Sequence, residues 1–317
     1  MQVICRICNN EATRDAVAQA VLAGSKAFDL LSCEHCDVIF FEPLPTPEEL
    51  AQHYSKAYSF YKGDNYKAQG KGYAFAKKYL KHKDKGNFID IGCASGDVLA
   101  GVREASDWQV FGTDINPEVV ENVRKKLQLD VRIGEIEDIQ FDANFFDFIR
   151  VQDILEHVPQ PLAFLKECRR IIRDDGRLYL SVPNGLADVQ NLIDYYHKYQ
   201  QAGFSGAGHI YFFSLHTLHY MFQRCGFQVE KSYSMNFKKG LRSLSVLPKS
   251  KHWKRDLTPP SAQDLAAAQS QIASCGQQKR SQKYYNFQFF KDELMQIPGT
   301  YRYAQDFIFL LRPSSKA

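Results

Sequence analysis

The stretch Phe88-Ile-Asp-Ile-Gly92-Cys-Ala-Ser-Gly96-Asp97 constrains the fold of this chain more than any other. An apolar run carrying one Asp leads into two glycines four positions apart, and a helical pattern starts at once. The succession reads as a buried strand, a tight loop and a helix start. Glycine serves where the backbone takes positive φ or lets a ligand come close. A helix beginning right after such a loop offers unpaired N–H groups and the positive end of its dipole. The expected ligand is a nucleotide or nucleoside-like cofactor.

The rhythm continues along the chain. After a helical stretch over 66–83, strand patterns at 88–91, 109–113, 131–133, 146–151 and 178–182 alternate with helical patterns at 98–104, 117–127 and 162–172. This predicts a parallel sheet with helices on both faces. Ligands of such sheets bind beyond the carboxyl ends of the strands, where the strand order reverses. The residues just after each strand are therefore the candidates: Gly92 to Gly96, then Asp114, then Gly134 to Ile136, then Gln152 and Asp153.

A dinucleotide site wants G-x-G-x-x-G, so that pyrophosphate lies against the helix N-terminus. Here the loop is Gly92-Cys-Ala-Ser-Gly96, preceded by Asp90. That carboxylate repels pyrophosphate and suits a ligand with a cationic end, as S-adenosylmethionine has. Asp114 stands near the twenty-residue spacing at which an acid takes both ribose hydroxyls.

The eight cysteines define a second region. Cys5-Arg-Ile-Cys8 and Cys33-Glu-His-Cys36 are two CxxC knuckles at zinc-ribbon spacing, able to complete a tetrahedron of thiolates. The segment is too short to build its own core, so a structural Zn²⁺ is expected to supply folding free energy. Four thiolates close the site to catalysis. Two redox pairs are the alternative, disfavoured because neither knuckle starts a thioredoxin-like helix. Cys93, Cys168, Cys225 and Cys275 stand apart and are expected to be reduced thiols. Strand patterns at 28–32 and 38–41 flank the second knuckle, and Thr46-Pro47-Glu48-Glu49 reads as an N-cap with Pro at the first helical position. The helix it opens runs into Tyr54, Tyr58, Phe60, Tyr61 and Tyr66, read as packing, with a pocket wall as the alternative.

The runs FIDIGCASG, GTDINPEVVENV and GEIEDIQFDANFFDFIRVQDILEHVPQPLAFLKECRRIIRDDGRLYLSVPN, in that order, resemble the class I S-adenosylmethionine-dependent methyltransferases. The branch resembled is that of ubiquinone-biosynthesis and sugar methyltransferases, over roughly residues 66–236. The knuckles also resemble the zinc-binding module that precedes this domain in deoxysugar C-methyltransferases. The full pattern of those enzymes adds a C-terminal domain for which this chain is too short, which weakens C-methylation in particular. The resemblance implies an α/β, Rossmann-like sheet, mostly parallel with an antiparallel last strand. It implies a zinc module over 1–60, a methyltransferase domain over 61–317, and an insertion at 238–300 before the last strand.

By the same resemblance Asp90 sits beside the amino-acid end of the cofactor, and Gly92, Cys93, Ala94 and Gly96 form the loop beneath it. Asp114 holds the ribose, Ile115 flanks the adenine, Glu135 and Ile136 contact its edge and face, and Gln152 lies near the methionine moiety. Ala94 replaces the usual middle glycine, and its φ is expected to stay negative.

Methyl transfer to a hydroxyl requires alignment and removal of a proton, near neutral pH most often by His. Two histidines are candidates. His157 follows the fourth strand in Glu156-His157, with anchoring of the turn into Pro159 as its structural alternative. His209, in Gly206-Ala-Gly-His-Ile-Tyr-Phe-Phe-Ser214, is the first choice for acceptor base or binding, against a structural role. Tyr195, Tyr196 and Tyr211 are possible neighbours in the same pocket, and the helical pattern over 186–199 is read as part of a lid. His216 and His219 are read as surface or core positions of the following helix.

Strand patterns at 226–233 and 306–311 should pair as the closing hairpin, with the insertion between them. It opens with Lys238, Lys239, Arg242, Lys249, Lys251, Lys254 and Arg255, a run that fits a solvated face, an anionic acceptor, RNA or a membrane surface. A net charge of +4 argues weakly against a dedicated nucleic-acid binder, although nucleic acid stays open as a partner. No apolar run is long enough to span a bilayer and no signal-peptide pattern opens the chain, so a cytoplasmic location is expected. The reaction expected is methyl transfer to oxygen or carbon of a small polar or anionic acceptor, with a sugar or nucleotide-sugar derivative as a candidate. The rivals are an RNA or protein methyltransferase and a non-catalytic binding module on the same fold.

Overall fold

In a computed structural model, the structure describes residues 3–13, 15–57, 66–235 and 305–314. Tyr58, Phe60, Tyr61, Cys275 and the 238–300 insertion with its basic run lie outside the described residues.

Three short strands follow the first knuckle: β1 (Ala18–Val21), β2 (Ala27–Ser32) and β3 (Ile39–Glu42). They form an antiparallel meander. Helix α1 (Pro47–Ala57) then starts on the expected cap: Thr46 Oγ1 accepts from Glu49 N at 3.2 Å, and Glu49 Oε2 accepts from Thr46 N at 2.8 Å. That is a reciprocal capping box. Helix α2 (Tyr66–Phe75) continues into a π-helical turn, Ala76–Leu80. From there the α/β alternation runs as read: β4 (Asn87–Ile91), α3 (Asp97–Ala105), β5 (Gln109–Asp114), α4 (Pro117–Leu127), β6 (Asp130–Ile133), β7 (Phe146–Gln152), α5 (Pro161–Ile171) and β8 (Ile172–Pro183). Helix α6 (Gly185–Tyr199), strands β9 (Gly203–Phe204) and β10 (Tyr211–Phe212), and helix α7 (Leu215–Arg224) precede the hairpin β11 (Phe227–Met235) and β12 (Asp306–Pro313).

The large sheet has the order β11-β12-β8-β7-β4-β5-β6. Strands β4 to β8 run parallel, and β12 is antiparallel to both β8 and β11. This is the Rossmann-like sheet with an antiparallel last strand. The chain moves outward from β4 through β5 and β6, then returns to β7 on the other side of β4. The reversal opens a crevice beyond the carboxyl ends of β4 and β7. Both strands are mostly apolar and buried, as strands covered on both faces are, with Asp90 in the first and Asp147 and Arg150 in the second as charged exceptions. Helices α2 and α3 meet backbone to backbone: a Cβ on Gly72 would lie 2.1 Å from Val98 O, and one on Gly101 2.0 Å from Gln69 O. Phe75, at the end of α2, packs on Phe88, Phe148 and Tyr179 with ring centres 6.0, 5.6 and 5.0 Å away.

The small sheet holds a feature absent from the sequence reading. Its order is β10-β3-β2-β1-β9, so two strands from beyond α6 complete the N-terminal meander. One buried cluster runs from Cys5, Cys33 and Phe41 through Tyr211 and Phe222 to Val151 and Leu165. Thr217 Oγ1 of α7 donates to the carbonyl of Cys36 at 2.6 Å, which ties the second knuckle to the large domain. The N-terminal segment shares its core with the rest of the chain.

Candidate active site

The loop after β4 takes its shape from backbone conformation. Gly92, Ala94 and Gly96 all have positive φ (74, 47 and 71°), and Gly96 caps α3. The negative φ expected at Ala94 is therefore wrong: the loop imposes the left-handed region there whatever the side chain. A Cβ at Gly92 would come 2.2 Å from Ile154 Cδ1, so a side chain there would take a strained dihedral and displace Ile154. Asp114, at the end of β5, locks the loop: its Oδ2 accepts from Ala94 N and its Oδ1 from Asn116 N, each at 2.9 Å. Cys93 is buried, and burial pushes its thiol well up, out of the range of a reactive thiolate. Ile115 is 48% exposed beside the crevice, Glu135 is exposed, and Ile136 is buried in the core.

Asp90 is not a free carboxylate. It is buried and receives Arg150 Nη1 at 2.6 Å, while the other guanidinium nitrogen donates to Gln152 Oε1. Burial pushes the Asp90 carboxyl up, with Arg150 pulling the other way. Sequence reasoning missed Arg150, although a signal was present. A charged residue in the middle of the apolar run FDFIRVQ needs a partner, and register places it opposite Asp90. The crevice wall therefore presents a matched ion pair at the position where a lone negative charge was expected.

Further along the crevice, five side chains from four segments converge. Glu156 and His157 lie in the 3₁₀ turn after β7, His209 in the loop between β9 and β10, Asp188 in the first turn of α6, and Tyr54 on α1. His209 Nδ1 is 2.5 Å from Asp188 Oδ2. His157 Nδ1 is 3.1 Å from the carbonyl of Gly208 and 3.0 Å from the Tyr54 hydroxyl. A carbonyl only accepts, so His157 carries its proton on Nδ1 and turns Nε2 inward. The two imidazole centres are 4.8 Å apart, and their Nε2 atoms lie 3.9 Å (His157) and 3.7 Å (His209) from Glu156 Oε1. Glu156 is 1% exposed, and burial pushes its carboxyl up to about 8. Burial and the neighbouring His209 hold His157 down at about 3, so its imidazole is neutral at ordinary pH.

Both candidate histidines therefore meet, and His157 reaches the loop of His209 instead of merely anchoring its own turn. Asp188 was not read from the sequence. It lies in a helix with nothing local to set it apart, and only the fold brings it to His209. Tyr211 is fully buried with its hydroxyl donated to Pro159 O at 3.2 Å, and Tyr195 and Tyr196 are partly buried against the core. His216 pairs with Asp37 at the surface and His219 packs on Phe309, in line with their structural reading.

The four knuckle cysteines are buried, with Cys5 Sγ 3.7 Å from Cys36 Sγ and Cys8 Sγ 3.4 Å from Cys33 Sγ. All four sulfurs lie within 4.8 Å of one another. A tetrahedron with Zn–S bonds of about 2.3 Å has edges of about 3.8 Å, while a disulfide needs about 2.05 Å. The donor set and its spacing fit a zinc ion.

The family model described as a methyltransferase domain matches residues 61–232. The chain belongs to that family. The ubiquinone biosynthesis O-methyltransferase of Xanthomonas oryzae pv. oryzae is 32% identical over 102 residues, covering 30% of this chain and 42% of that protein. That of Actinobacillus pleuropneumoniae serotype 5b is 32% identical over 120 residues, 33% of this chain and 51% of its own length. The chain thus spans about half or less of the curated relatives it matches. Among solved structures it is similar to a phosphoethanolamine N-methyltransferase of Haemonchus contortus in complex with S-adenosyl-L-methionine (14% identity, TM-score 0.48, covering 77% of this chain and 52% of that one). It is also similar to a SAM-dependent methyltransferase of Archaeoglobus fulgidus (16% identity, TM-score 0.46, 76% and 92%). No described helix is long and apolar enough to cross a membrane.

Proposed function

We propose that the chain transfers a methyl group from S-adenosylmethionine to an oxygen or carbon of a small polar acceptor, with a sugar or nucleotide-sugar derivative as the leading class. When bound, that cofactor supplies a methyl group on a sulfonium that is already a good leaving group. Asp114, Ile115, Glu135 and Ile136 would hold its adenosine half, and the Gly92–Gly96 loop with Gln152 its other half. The Asp90–Arg150 pair supports this in a revised form. Arg150 offers a guanidinium to the cofactor's carboxylate, and Asp90 holds that guanidinium in place. The O-methyltransferase names of the relatives support oxygen as the accepting atom.

The observation that carries the reading is the nearness of the Asp114-locked loop to the turn of the Glu156–His157–His209 cluster: Ile154, two positions before Glu156, lies against Gly92, where a Cβ would come 2.2 Å from its Cδ1. A hydroxyl acceptor must shed a proton as it is methylated, and this cluster handles that end. Asp188 fixes the ring of His209, and Gly208 that of His157. Proton handling at such a site contributes about 10²–10⁴-fold to rate. A structural Zn²⁺ on Cys5, Cys8, Cys33 and Cys36 would hold the small sheet that carries the His209 loop.

Calorimetry with S-adenosylmethionine tests the cofactor half, and a cell extract supplied with methyl-labelled cofactor identifies the acceptor. Asp188→Asn should slow turnover about 10²-fold or more while leaving cofactor affinity unchanged. No cofactor binding by the wild-type chain would overturn the reading.

A further inference from the structure

The segment that follows His209 runs along the second cysteine knuckle from Ile210 to Thr217. Phe41 N donates to Ile210 O at 3.1 Å, and Tyr211 and Phe212 then pair with Phe40 and Ile39 as β10 against β3. Side chains of α7 continue the same antiparallel descent. His216 Nδ1 is 3.0 Å from Asp37 Oδ2, and Thr217 Oγ1 donates to the carbonyl of Cys36 at 2.6 Å. Residues 210–217 are therefore laid against residues 41–36, and the last contact falls on a member of the four-cysteine site. The far end of the helix reaches the first knuckle, where Arg224 Nη1 lies 3.5 Å from the carbonyl of Ile7, between Cys5 and Cys8.

Thr217 is fully buried in the first turn of α7. A carbonyl only accepts, so the one hydroxyl proton of Thr217 goes to Cys36. Its oxygen is supplied in turn by Ser214, whose Oγ lies 2.9 Å away and also accepts from Thr217 N at 3.0 Å as the cap of the helix. The knuckle itself is closed by Cys33, whose N donates to Val38 O at 2.9 Å and whose O accepts from Asp37 N at 2.8 Å. Cys36 thus points its thiol at the other three sulfurs while its carbonyl is held by a helix that follows it by well over a hundred residues.

We propose that α7 belongs to the metal module: Thr217 positions Cys36 for zinc through its carbonyl, and zinc binding and the docking of α7 stabilise each other. The proposal rests on the zinc reading of the four thiolates given above. Ordering a loop around an ion costs backbone entropy, and contacts that hold the loop beforehand raise affinity. Contacts one step behind the ligands are worth a large part of a metal site's affinity. The coupling is reciprocal: whatever α7 adds to zinc affinity, zinc adds to the docking of α7. Because β10 joins the cap of α7 to His209, the ion also fixes where the His209 loop leaves the small sheet. Thr217 is a positioning residue in this scheme, and the ligand set stays the four thiolates.

The test reads zinc in the full-length protein. The wild type should hold one equivalent and release it slowly to a chromophoric chelator. Thr217→Val should bind zinc about 10–100-fold more weakly in the same competition. Thr217→Ser, which keeps the hydroxyl, should restore most of that loss. Loaded with Co²⁺, all three proteins should show the same thiolate charge-transfer band, because the ligands are unchanged. A Thr217→Val protein that is less stable in urea yet holds zinc as tightly as the wild type overturns the proposal. Hydrogen exchange on the wild type tests it without any variant. Removal of zinc should strip protection from the amides of α7, while those of β4 and β5 keep theirs. Protection of α7 that is unchanged by zinc removal overturns the proposal. The two failures are separable: a wild type with no bound zinc and no thiolate band with Co²⁺ removes the zinc reading itself, and zinc held equally by wild type and Thr217→Val removes the link to α7 alone.

Discussion

At the proposed cofactor end, five consecutive residues and one aspartate a strand away form the loop, and the contacts of that aspartate run to backbone N–H groups. At the proposed acceptor end, Tyr54, Glu156, His157, Asp188 and His209 arrive from four segments and meet mainly through side chains, with the Gly208 carbonyl and the Ile210 N–H beside them. The first end is local and set by φ values. The second is held by the small sheet, whose outer strands β9 and β10 flank the His209 loop and pair with β1 and β3. A site made of backbone tolerates loss of distant packing, and a site assembled from side chains does not.

Metal removal at the cysteines tests that contrast most severely. Structural zinc in such knuckles contributes about 10–16 kcal/mol to folding. Chelation, or Cys33→Ser, should melt the small sheet, as followed by circular dichroism, and abolish methyl transfer. S-adenosylmethionine binding, followed by calorimetry, should survive. If it disappears as well, the two ends form one cooperative unit and the contrast fails.

The next largest effect falls on the Asp90–Arg150 pair. Arg150→Met leaves a buried carboxylate unmatched and should cost about 3–5 kcal/mol in urea unfolding. Asp90→Asn added to it should restore part of that loss. A single variant as stable as the wild type would show that the pair is not a unit. Asp114→Ala removes the acceptor for two backbone N–H groups and should weaken cofactor binding about 10–100-fold, by the 1.5–3 kcal/mol of hydrogen bonds to a charged group. Turnover at saturating cofactor should change much less, because the acceptor end is untouched.

The smallest effect sharpens the backbone argument. Ala94 holds a φ of 47°, which costs an L-residue roughly 1–2 kcal/mol. Ala94→Gly relieves that strain against a loss of about 0.5–1 kcal/mol in chain entropy. A net gain of about 0.5–1 kcal/mol in thermal unfolding, with cofactor affinity unchanged, is the expected outcome. A loss of stability would mean that the Ala94 methyl packs against something in the folded loop.

The large sheet could be read in advance because its strands are mostly apolar and alternate with helical patterns, one of them opened by the Asn116 cap on Val119 N. Strands β9 and β10 could not, since two residues carry no periodicity and their partners lie well over a hundred positions away. Strand β1, Ala-Gln-Ala-Val, is too weakly apolar to stand out, and pairing with β2 makes it a strand. Ala94 was misjudged because the identity of a side chain does not report the dihedral that a loop imposes on it.

By itself, then, the sequence determined the loop, Asp114, the four thiols and the order of the strands, because each is encoded by neighbours within a strand or a turn. Tertiary structure alone decided that Arg150 neutralises Asp90, that Asp188 orients His209, and that an unpartnered Glu156 faces two imidazoles. Those contacts join residues from separate elements, and burial, which gives them their energy, exists only once the elements have packed.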